Sequence, residues 1–239
     1  YLRQLGAPLP QRPQTGGKSG ADDAAPEDLI LIYHIERGGG AEVYRDHRQG
    51  EVRRRVGDRA AVIARINASD EMLGGLDVHD AAAVASYLEA CGVACLHVSR
   101  AVHIKDEYMW APTAVHGGFN ADLVSEIKRA VHVPVIAVGR FTDPYYAELL
   151  VREGRADLVA FGRQSLADPH LPLKTKKGCS EDVVPCIACL QGCVARMYRG
   201  EPIRCLANPL LGHEADPPLQ AASPKRVVVV GGGPGGLCA

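Results

Sequence analysis

The sequence predicts an α/β fold that contains the C-terminal half of a (β/α)8 TIM barrel, and two observations support this prediction. Short apolar runs alternate with segments of helical spacing between residues 60 and 178, which is the pattern of parallel strands covered by helices on both faces. This segment holds four such repeats, whereas a complete barrel needs eight repeats and about 250 residues. Because half a barrel leaves strand edges open, it must dimerise, pair with a further strand at residues 29–35, or remain poorly folded.

Each predicted element has its own local signal. Asp143-Pro144 indicates a helix start, because Asp caps free backbone N–H groups and Pro fits the first turn. Gly92 indicates the end of another helix. The predicted strands are residues 29–35, 61–66, 94–99, 134–138 and 157–161, and the predicted helices are residues 42–56, 78–91, 120–131 and 143–153.

The composition limits the classes of protein to which the chain can belong. Its 239 residues include 27 Lys and Arg against 28 Asp and Glu, and this balance predicts no binding to nucleic acid or to an anionic membrane. No apolar run is long enough to span a membrane, and no signal peptide is recognisable. Since the chain begins at Tyr1 and ends at Ala239 within a glycine-rich motif, we expect a piece of a longer protein.

Half of the eight cysteines fall in one short stretch and predict a metal centre. Cys186, Cys189 and Cys193 share one tight turn and Cys205 follows alone, with the spacing C-x2-C-x3-C-x11-C. Thiolate sulfur suits zinc or an iron–sulfur cluster, but structural zinc sites often use two separate C-x2-C pairs. The pattern therefore favours a [4Fe–4S] cluster, with zinc and disulfides as alternatives. Because such thiols need a reducing compartment, we expect a cytoplasmic protein.

Glycine–arginine pairs close two of the predicted strands and indicate a phosphate site. Gly139-Arg140 follows the third strand of the repeats, and Gly162-Arg163 follows the fourth. Chemistry in (β/α)8 barrels lies at the carboxyl ends of the strands, and the last two loops commonly bind phosphate. Glycine lets the backbone approach a phosphate and arginine offers a fork of donors, although a glycine can also simply end a strand. Arg65, within an apolar strand, must face a ligand or a carboxylate, because a buried unpaired guanidinium is costly.

The end of the chain carries a glycine-rich motif after a predicted strand. Residues 225–230 run directly into a G-x-G-x-x-G motif formed by Gly231, Gly233 and Gly236. Such a motif after a strand is typical of the first turn of a Rossmann-type dinucleotide-binding domain. The acidic residue that would bind ribose is not in the chain, so the motif itself does not choose between FAD and NAD.

Together these motifs resemble the iron–sulfur flavoprotein branch of the Old Yellow Enzyme-like NADH:flavin oxidoreductase family. That branch includes 2,4-dienoyl-CoA reductase, 2-enoate reductases, bile-acid-modifying reductases and trimethylamine dehydrogenase. The resemblance covers residues 59–239 and depends on several motifs in the same order. These are Ile63-Ala64-Arg65-Ile66, Leu96-His97-Val98-Ser99, residues 134–140, residues 156–163, Ala167-Asp168-Pro169, the cysteine stretch, Cys205-Leu206-Ala207-Asn208-Pro209 and the closing glycines.

The resemblance implies an enzyme with two flavins and a cluster. Arg65 would contact the pyrimidine edge of FMN and stabilise negative charge there, and the two glycine–arginine pairs would hold the FMN phosphate. The four cysteines would ligate the [4Fe–4S] cluster beside the flavin. The closing glycines would begin an FAD domain, with NAD(P)H bound elsewhere as the electron donor.

The function that the resemblance implies is transfer of reducing equivalents from NAD(P)H through FAD, the cluster and FMN to the activated C=C bond of an enoate, enone or enoyl-CoA. An amine dehydrogenase of the same family and a non-catalytic metal-binding remnant remain alternatives. We expect the chain by itself to be inactive. The predicted organisation is an atypical, partly disordered segment at 1–58, an FMN-binding half barrel at 59–178, a cluster segment at 179–222 and the start of an FAD- or NAD(P)-binding domain at 223–239.

The sequence offers candidate cofactor ligands but no identifiable catalytic residue. The first half of the barrel is not recognisable in residues 1–58, so no catalytic proton donor is assigned. Residues 100–118, around Tyr108-Met109-Trp110, form a candidate lid or substrate wall because they follow a strand on the active-site side. His97 is interpreted as a hydrogen-bonded strand residue, and Cys179 lies outside the metal-ligand spacing.

Overall fold

The structure is a computed structural model that describes the backbone of residues 29–34 and, in full, residues 60–102, 105–216, 223 and 226–237, apart from the side chain of Asp106. The helix predicted at residues 42–56 lies outside the described residues, as does most of the predicted segment 1–58. Within the described ranges, no helix combines the length and the apolar character needed to cross a membrane.

Strands and helices alternate through the predicted repeats, as the apolar runs indicated. The strands are β1 (Leu29–His34), β2 (Ala60–Asn67), β3 (Cys95–Ser99), β4 (Val135–Ala137) and β5 (Leu158–Val159). The α-helices are α1 (Val78–Ala90), α2 (Asp106–Met109), α3 (Ala121–Ala130), α4 (Pro144–Arg152), α5 (Gly162–Ala167), α6 (Leu171–Lys176), α7 (Val194–Tyr198) and α8 (Pro234–Leu237).

The strands form one parallel sheet in the order β1-β2-β3-β4-β5. This sequential order is the one that consecutive strands of a (β/α)8 barrel adopt. β1 pairs with β2 from Leu29 opposite Ala60 to His34 opposite Arg65. The edge of β2 is therefore paired within the chain, which confirms a strand within the predicted residues 29–35 and corresponds to one of the three alternatives for the open edge.

Local capping explains where the helices begin. The Asp77 side chain accepts hydrogen bonds from the backbone N–H groups of His79 and Asp80, each at 2.9 Å, and α1 starts one residue after it. Asp143 accepts from the N–H of Tyr145 at 2.8 Å, so α4 starts at the predicted place. β5 is shorter than predicted because α5 begins at Gly162, three residues after the strand ends.

The core lies between the sheet and the helices that cover it. α1 presents the fully buried Ala81 and Ala85, whose small side chains let the helix approach the sheet closely. β3 contributes Leu96 and Val98, and α3 contributes Ile127, all with no exposed surface. Packing of this density fixes the strand ends, and with them the loops that follow, in one arrangement.

Replacing Leu96 with alanine is expected to lower the free energy of unfolding by about 2–5 kcal/mol, because it leaves a cavity in a close-packed core. The matched control is Leu73→Ala, since Leu73 is 103% exposed whereas Leu96 is 0% exposed. The control is expected to change stability by less than about 0.5 kcal/mol. Urea unfolding followed by circular dichroism measures both, and equal losses would contradict the core assignment.

Candidate functional site

A cleft of about 240 Å³ opens at the carboxyl ends of the strands. Consecutive strands each supply part of its wall, since the residues that end β2, β3, β4 and β5 all turn toward the same edge of the sheet. The cleft therefore occupies the position where (β/α)8 barrels carry their chemistry. Its lining includes Arg65, Asn67, Ser99, Arg100, Gly139, Arg140, Gly162 and Arg163.

The two predicted glycine–arginine pairs meet in this cleft. Gly139 packs so closely on Asn120 that a Cβ at this position would lie 2.9 Å from the Cβ of Asn120. The backbone then turns at Arg140, whose φ of 55° lies in the left-handed region. Gly162 opens α5 and faces open space. The sequence thus correctly places both pairs on one cleft, although they are far apart along the chain.

Two guanidinium nitrogens at this cleft have no partner among the described residues. Arg140 Nε and Arg163 Nη1 are both buried and form no hydrogen bond there. Arg140 also donates a long hydrogen bond of 3.3 Å from Nη1 to the carbonyl oxygen of Thr113. Buried donors are rarely left unpaired in folded proteins, so this end of the cleft fits an anion such as a phosphate.

Arg65 also lines the cleft. Its guanidinium lies beside His97 of the neighbouring strand β3. Its Nη1 lies 3.5 Å from His97 Nδ1. Because a guanidinium can only donate, His97 Nδ1 acts as the acceptor in this contact. The interpretation of His97 as a hydrogen-bonded strand residue is therefore confirmed, and Arg65 faces a cleft that can hold a ligand.

The four predicted metal ligands line a second, smaller cavity. Ala188 and Leu190 flank Cys189 with φ values of 51° and 62°, which makes the tight turn that the spacing predicted. The N–H of Arg204 donates to the carbonyl oxygen of Gly192 at 2.7 Å, and this bond brings the Cys205 loop against the turn. The cavity is lined by Cys186, Cys189, Cys193 and Cys205 together, whereas Cys179 is not among its lining residues.

The arrangement of the thiols bears on which metal they could hold. Among the residues that the structure describes, no three His, Cys, Asp or Glu side chains are gathered closely enough for a single metal ion. A zinc ion would need its thiolates at about 2.3 Å from one centre. A [4Fe–4S] cluster is larger and takes four separate thiolates around its surface, and four thiols line this cavity.

The cleft and the cysteine cavity share a wall. Arg163 and Cys186 line both. Burial lowers the pKa of Arg163, while the nearby thiols of Cys186 and Cys193 act in the opposite direction. A positive charge therefore lies between the two cavities, close to the thiols of the cysteine cavity.

The candidate substrate wall at residues 100–118 lies where the sequence placed it. Tyr108, Met109 and Trp110 line the cleft. Trp110 Nε1 donates to the hydroxyl of Tyr198 at 2.9 Å, and Thr113 Oγ1 donates to the carbonyl oxygen of Ile187 at 2.6 Å. These bonds connect the wall to the cysteine-rich segment.

Arg100 is a site residue that sequence reasoning missed. Its Nε lies 2.6 Å from Glu71 Oε1, and its guanidinium lies 4.8 Å from the centre of the Tyr108 ring. Asn120 was also missed, although its Nδ2 donates to the carbonyl oxygens of Val98 and Val138 at 3.1 Å each. Neither residue belongs to a recognisable motif; in the folded chain Arg100 lines the cleft, and the buried Asn120 joins the backbone at the ends of two strands beneath it.

The strand predicted at residues 225–230 is not present in the structure. Residues 226–230 form no strand, and Val228 and Val230 are 85% and 93% exposed. A β-branched run forms a strand only beside a neighbour that accepts its hydrogen bonds, and no described residue supplies one. α8 begins at Pro234 and contains Gly236, and Gly231, Gly233 and Gly236 lie outside the lining of both the cleft and the cysteine cavity.

Comparisons with known proteins agree with this geometry. Residues 50–182 match the NADH:flavin oxidoreductase / NADH oxidase family. The chain is 37% identical over 189 residues to an NADH oxidase of Thermoanaerobacter brockii, covering 78% of this chain and 29% of that protein. It is 31% identical over 166 residues to a cinnamate reductase of Clostridium sporogenes, covering 68% of this chain and 25% of that protein.

Comparison with solved structures finds a reductase and a dehydrogenase. A 2-naphthoyl-CoA reductase in complex with 2-naphthoyl-CoA superimposes with a TM-score of 0.76 and 31% identity, covering 84% of this chain and 31% of that one. Histamine dehydrogenase from Rhizobium sp. 4-9 gives a TM-score of 0.65 and 27% identity, covering 74% and 26%. The chain thus spans less than a third of the length of each of these four proteins.

Proposed function

The chain belongs to the NADH:flavin oxidoreductase / NADH oxidase family, and we propose that it forms the FMN- and cluster-binding part of a reductase of activated C=C bonds. The observation that carries this proposal is the shared wall of Arg163 and Cys186 between the cleft and the cysteine cavity. Redox groups bound in the two cavities would lie on either side of Arg163 and Cys186 and would thus be placed to exchange electrons. When bound, FMN would supply hydride transfer to the substrate and the cluster would supply single electrons.

In this proposal the arginines of the cleft divide into two roles. Arg140 and Arg163 hold the FMN phosphate, supported by guanidinium nitrogens that are buried and have no partner among the described residues and by the open space in front of the Gly162 backbone. Arg65 lies at the end of β2, where it meets the pyrimidine edge of the flavin and stabilises negative charge there. A guanidinium suits this position because it stays charged at every working pH.

The cysteine cavity takes the [4Fe–4S] cluster in the same proposal. Cys186, Cys189 and Cys193 come from one turn and Cys205 from the neighbouring loop, which holds them around one cavity. FAD would bind in a domain that begins at the closing glycines and continues beyond them, and NAD(P)H would deliver electrons to it. The expected compartment is the cytoplasm, because the ligating thiols must stay reduced.

The charge of the cleft favours a neutral or anionic substrate over a cationic amine. Arg65, Arg100, Arg140 and Arg163 line it, and none of the described lining residues is Asp or Glu. Glu71 neutralises Arg100 from outside the lining, and no described lining residue carries a carboxylate that would attract a substrate cation. Enoates, enones and enoyl-CoA thioesters are compatible with the positive charge of the cleft. Two relatives are named as a cinnamate reductase and a 2-naphthoyl-CoA reductase, which agrees with this choice.

Anaerobic NADH oxidation tests the proposed reaction. We expect a longer form of the protein, extended at both ends, to oxidise NADH with cinnamate, an enone or a dienoyl-CoA as acceptor. We expect residues 1–239 by themselves not to turn over, because the reaction also needs a proton donor, the first half of the barrel and a complete dinucleotide-binding domain.

Two outcomes would redirect the proposal. Oxidation of dimethylamine by the longer protein, without reduction of any C=C substrate, would favour the amine dehydrogenase alternative. A colourless protein that binds one zinc ion and no flavin would favour the non-catalytic metal-binding alternative. Turnover by residues 1–239 alone would show that the region before β2 completes the active site.

A further inference from the structure

The side chain of Gln164 forms a two-point contact with the backbone that leads into the cysteine turn. Gln164 is 1% exposed. Its Nε2 donates to the carbonyl oxygen of Val184 at 2.9 Å, and its Oε1 accepts from the N–H of Cys186 at 2.7 Å. A primary amide offers a donor and an acceptor side by side. The Gln164 side chain can therefore form the same pair of hydrogen bonds with residues 184–186 that a neighbouring strand would form.

Asp168 holds the same segment from the other end of α5. It is 3% exposed, and its Oδ2 accepts from the N–H of Val184 at 2.9 Å and from Lys174 Nζ at 2.6 Å. Lys174 Nζ also donates to the carbonyl oxygen of Asp182 at 2.8 Å. Burial by itself raises the pKa of Asp168, but hydrogen bonds from Lys174 and Val184 outweigh it and lower the pKa.

The loop that contains Cys205 is hydrogen-bonded to the same short helix, α5. Asn208 Nδ2, three residues after Cys205, donates to the carbonyl oxygen of Leu166 at 2.9 Å. α5 therefore holds the approach to the first cysteine through Gln164 and Asp168, and the exit from the last through Asn208. The first two residues of this helix, Gly162 and Arg163, line the cleft.

We infer that Gln164 is a positioning residue that fixes Cys186 for cluster binding, with Asp168 as its partner on the same segment. This inference rests on the proposed cluster. Gln164 does not touch the metal; it acts by satisfying the Cys186 N–H and the Val184 carbonyl, which sets the place of the first ligand relative to the cleft. Since Gln164 directly follows Gly162-Arg163, one stretch of α5 contributes to both cofactor sites.

The test is the rate at which a chelator removes iron from the loaded protein under anaerobic conditions. Gln164→Met keeps the length of the side chain but loses both hydrogen bonds, leaving a buried donor and acceptor unpaired. Gln191→Met is the matched control, because Gln191 lies in the same segment but is exposed. We expect Gln164→Met to lose iron about 10-fold faster, as removal of groups that orient metal ligands usually does, and Gln191→Met to match the unsubstituted chain.

A second variant keeps the inference testable if Gln164→Met does not fold. Asp168→Asn removes the carboxylate that pairs with Lys174 and should also speed iron loss, while unfolding midpoints of the iron-free proteins report any loss of fold. Equal rates of iron loss in the unsubstituted chain and in each folded variant would overturn the inference while leaving the cluster in place. No iron in the unsubstituted chain would instead overturn the proposed cluster, and the inference with it.

Discussion

Cys189→Ser is expected to abolish iron binding and to loosen residues 180–212. A serine oxygen replaces a thiolate that soft metal centres require, and the remaining three thiols cannot complete the cluster. Apart from its hydrogen bonds to Gln164, Asp168 and the candidate substrate wall, the segment has little to hold it, because Ala188 and Val194 are its buried apolar residues. Iron content measured by a colorimetric assay, together with limited proteolysis of the segment, checks both parts of the prediction.

The matched control is Cys179→Ser, which makes the same chemical change just before the cysteine cavity. Cys179 does not line that cavity, and its Sγ lies 3.8 Å from the carbonyl oxygen of Lys177. This variant should keep its iron. Unchanged iron in Cys189→Ser would contradict the cluster assignment, and loss of iron in Cys179→Ser would show that the spacing selected the wrong set of thiols.

The repeats could be predicted from the sequence because their signals are local. An apolar run such as residues 61–66 becomes a parallel strand where neighbouring strands pair with both its edges and its alternate residues are buried, and Asp143 caps its helix through its own neighbours. The strand at residues 29–34 was predicted for the same reason, and the open edge of β2 gave it a partner. Residues 226–230 have an equally suitable composition but lack a described neighbour, so the strand prediction failed there.

Part of the candidate site could be predicted from the sequence, namely the residues that have a local signal. Gly139, Arg140, Gly162 and Arg163 were found because they end strands, and parallel strands end at one edge of a sheet. Arg100, Asn120, Gln164 and Asp168 were not assigned site roles, because a polar residue shows its partners only when distant segments meet. The shared position of Arg163 on both cavities is a property of the fold and has no counterpart in sequence spacing.

Family membership is confirmed by the match over residues 50–182, and it agrees with the motifs that suggested it. The cofactor ligands rest instead on geometry, namely on the lining of the cleft and of the cysteine cavity. The residues of the cleft lie within the matched range, whereas the family match ends before Cys186. The cysteine site therefore needs its own experiment, and so does the phosphate site.

Arg163→Ala is expected to weaken FMN retention by about 10-fold or more, because hydrogen bonds to charged groups contribute about 1.5–3 kcal/mol each and about 1.4 kcal/mol is a factor of ten in affinity. Arg163 Nη1 is buried and has no partner among the described residues, so a phosphate would supply one. Flavin released on dilution and measured by fluorescence gives the affinity, with iron content determined on the same samples.

The matched control for Arg163 is Arg152→Ala on α4. The Arg152 side chain is 73% exposed and lies 3.0 Å from Glu148 in a surface ion pair, so its loss should leave flavin affinity unchanged. Equal flavin affinity in the two variants would contradict the phosphate site. Because Arg163 also lines the cysteine cavity, a loss of iron together with flavin would show that its charge supports both sites, whereas a loss of flavin alone would place its main contact on the phosphate.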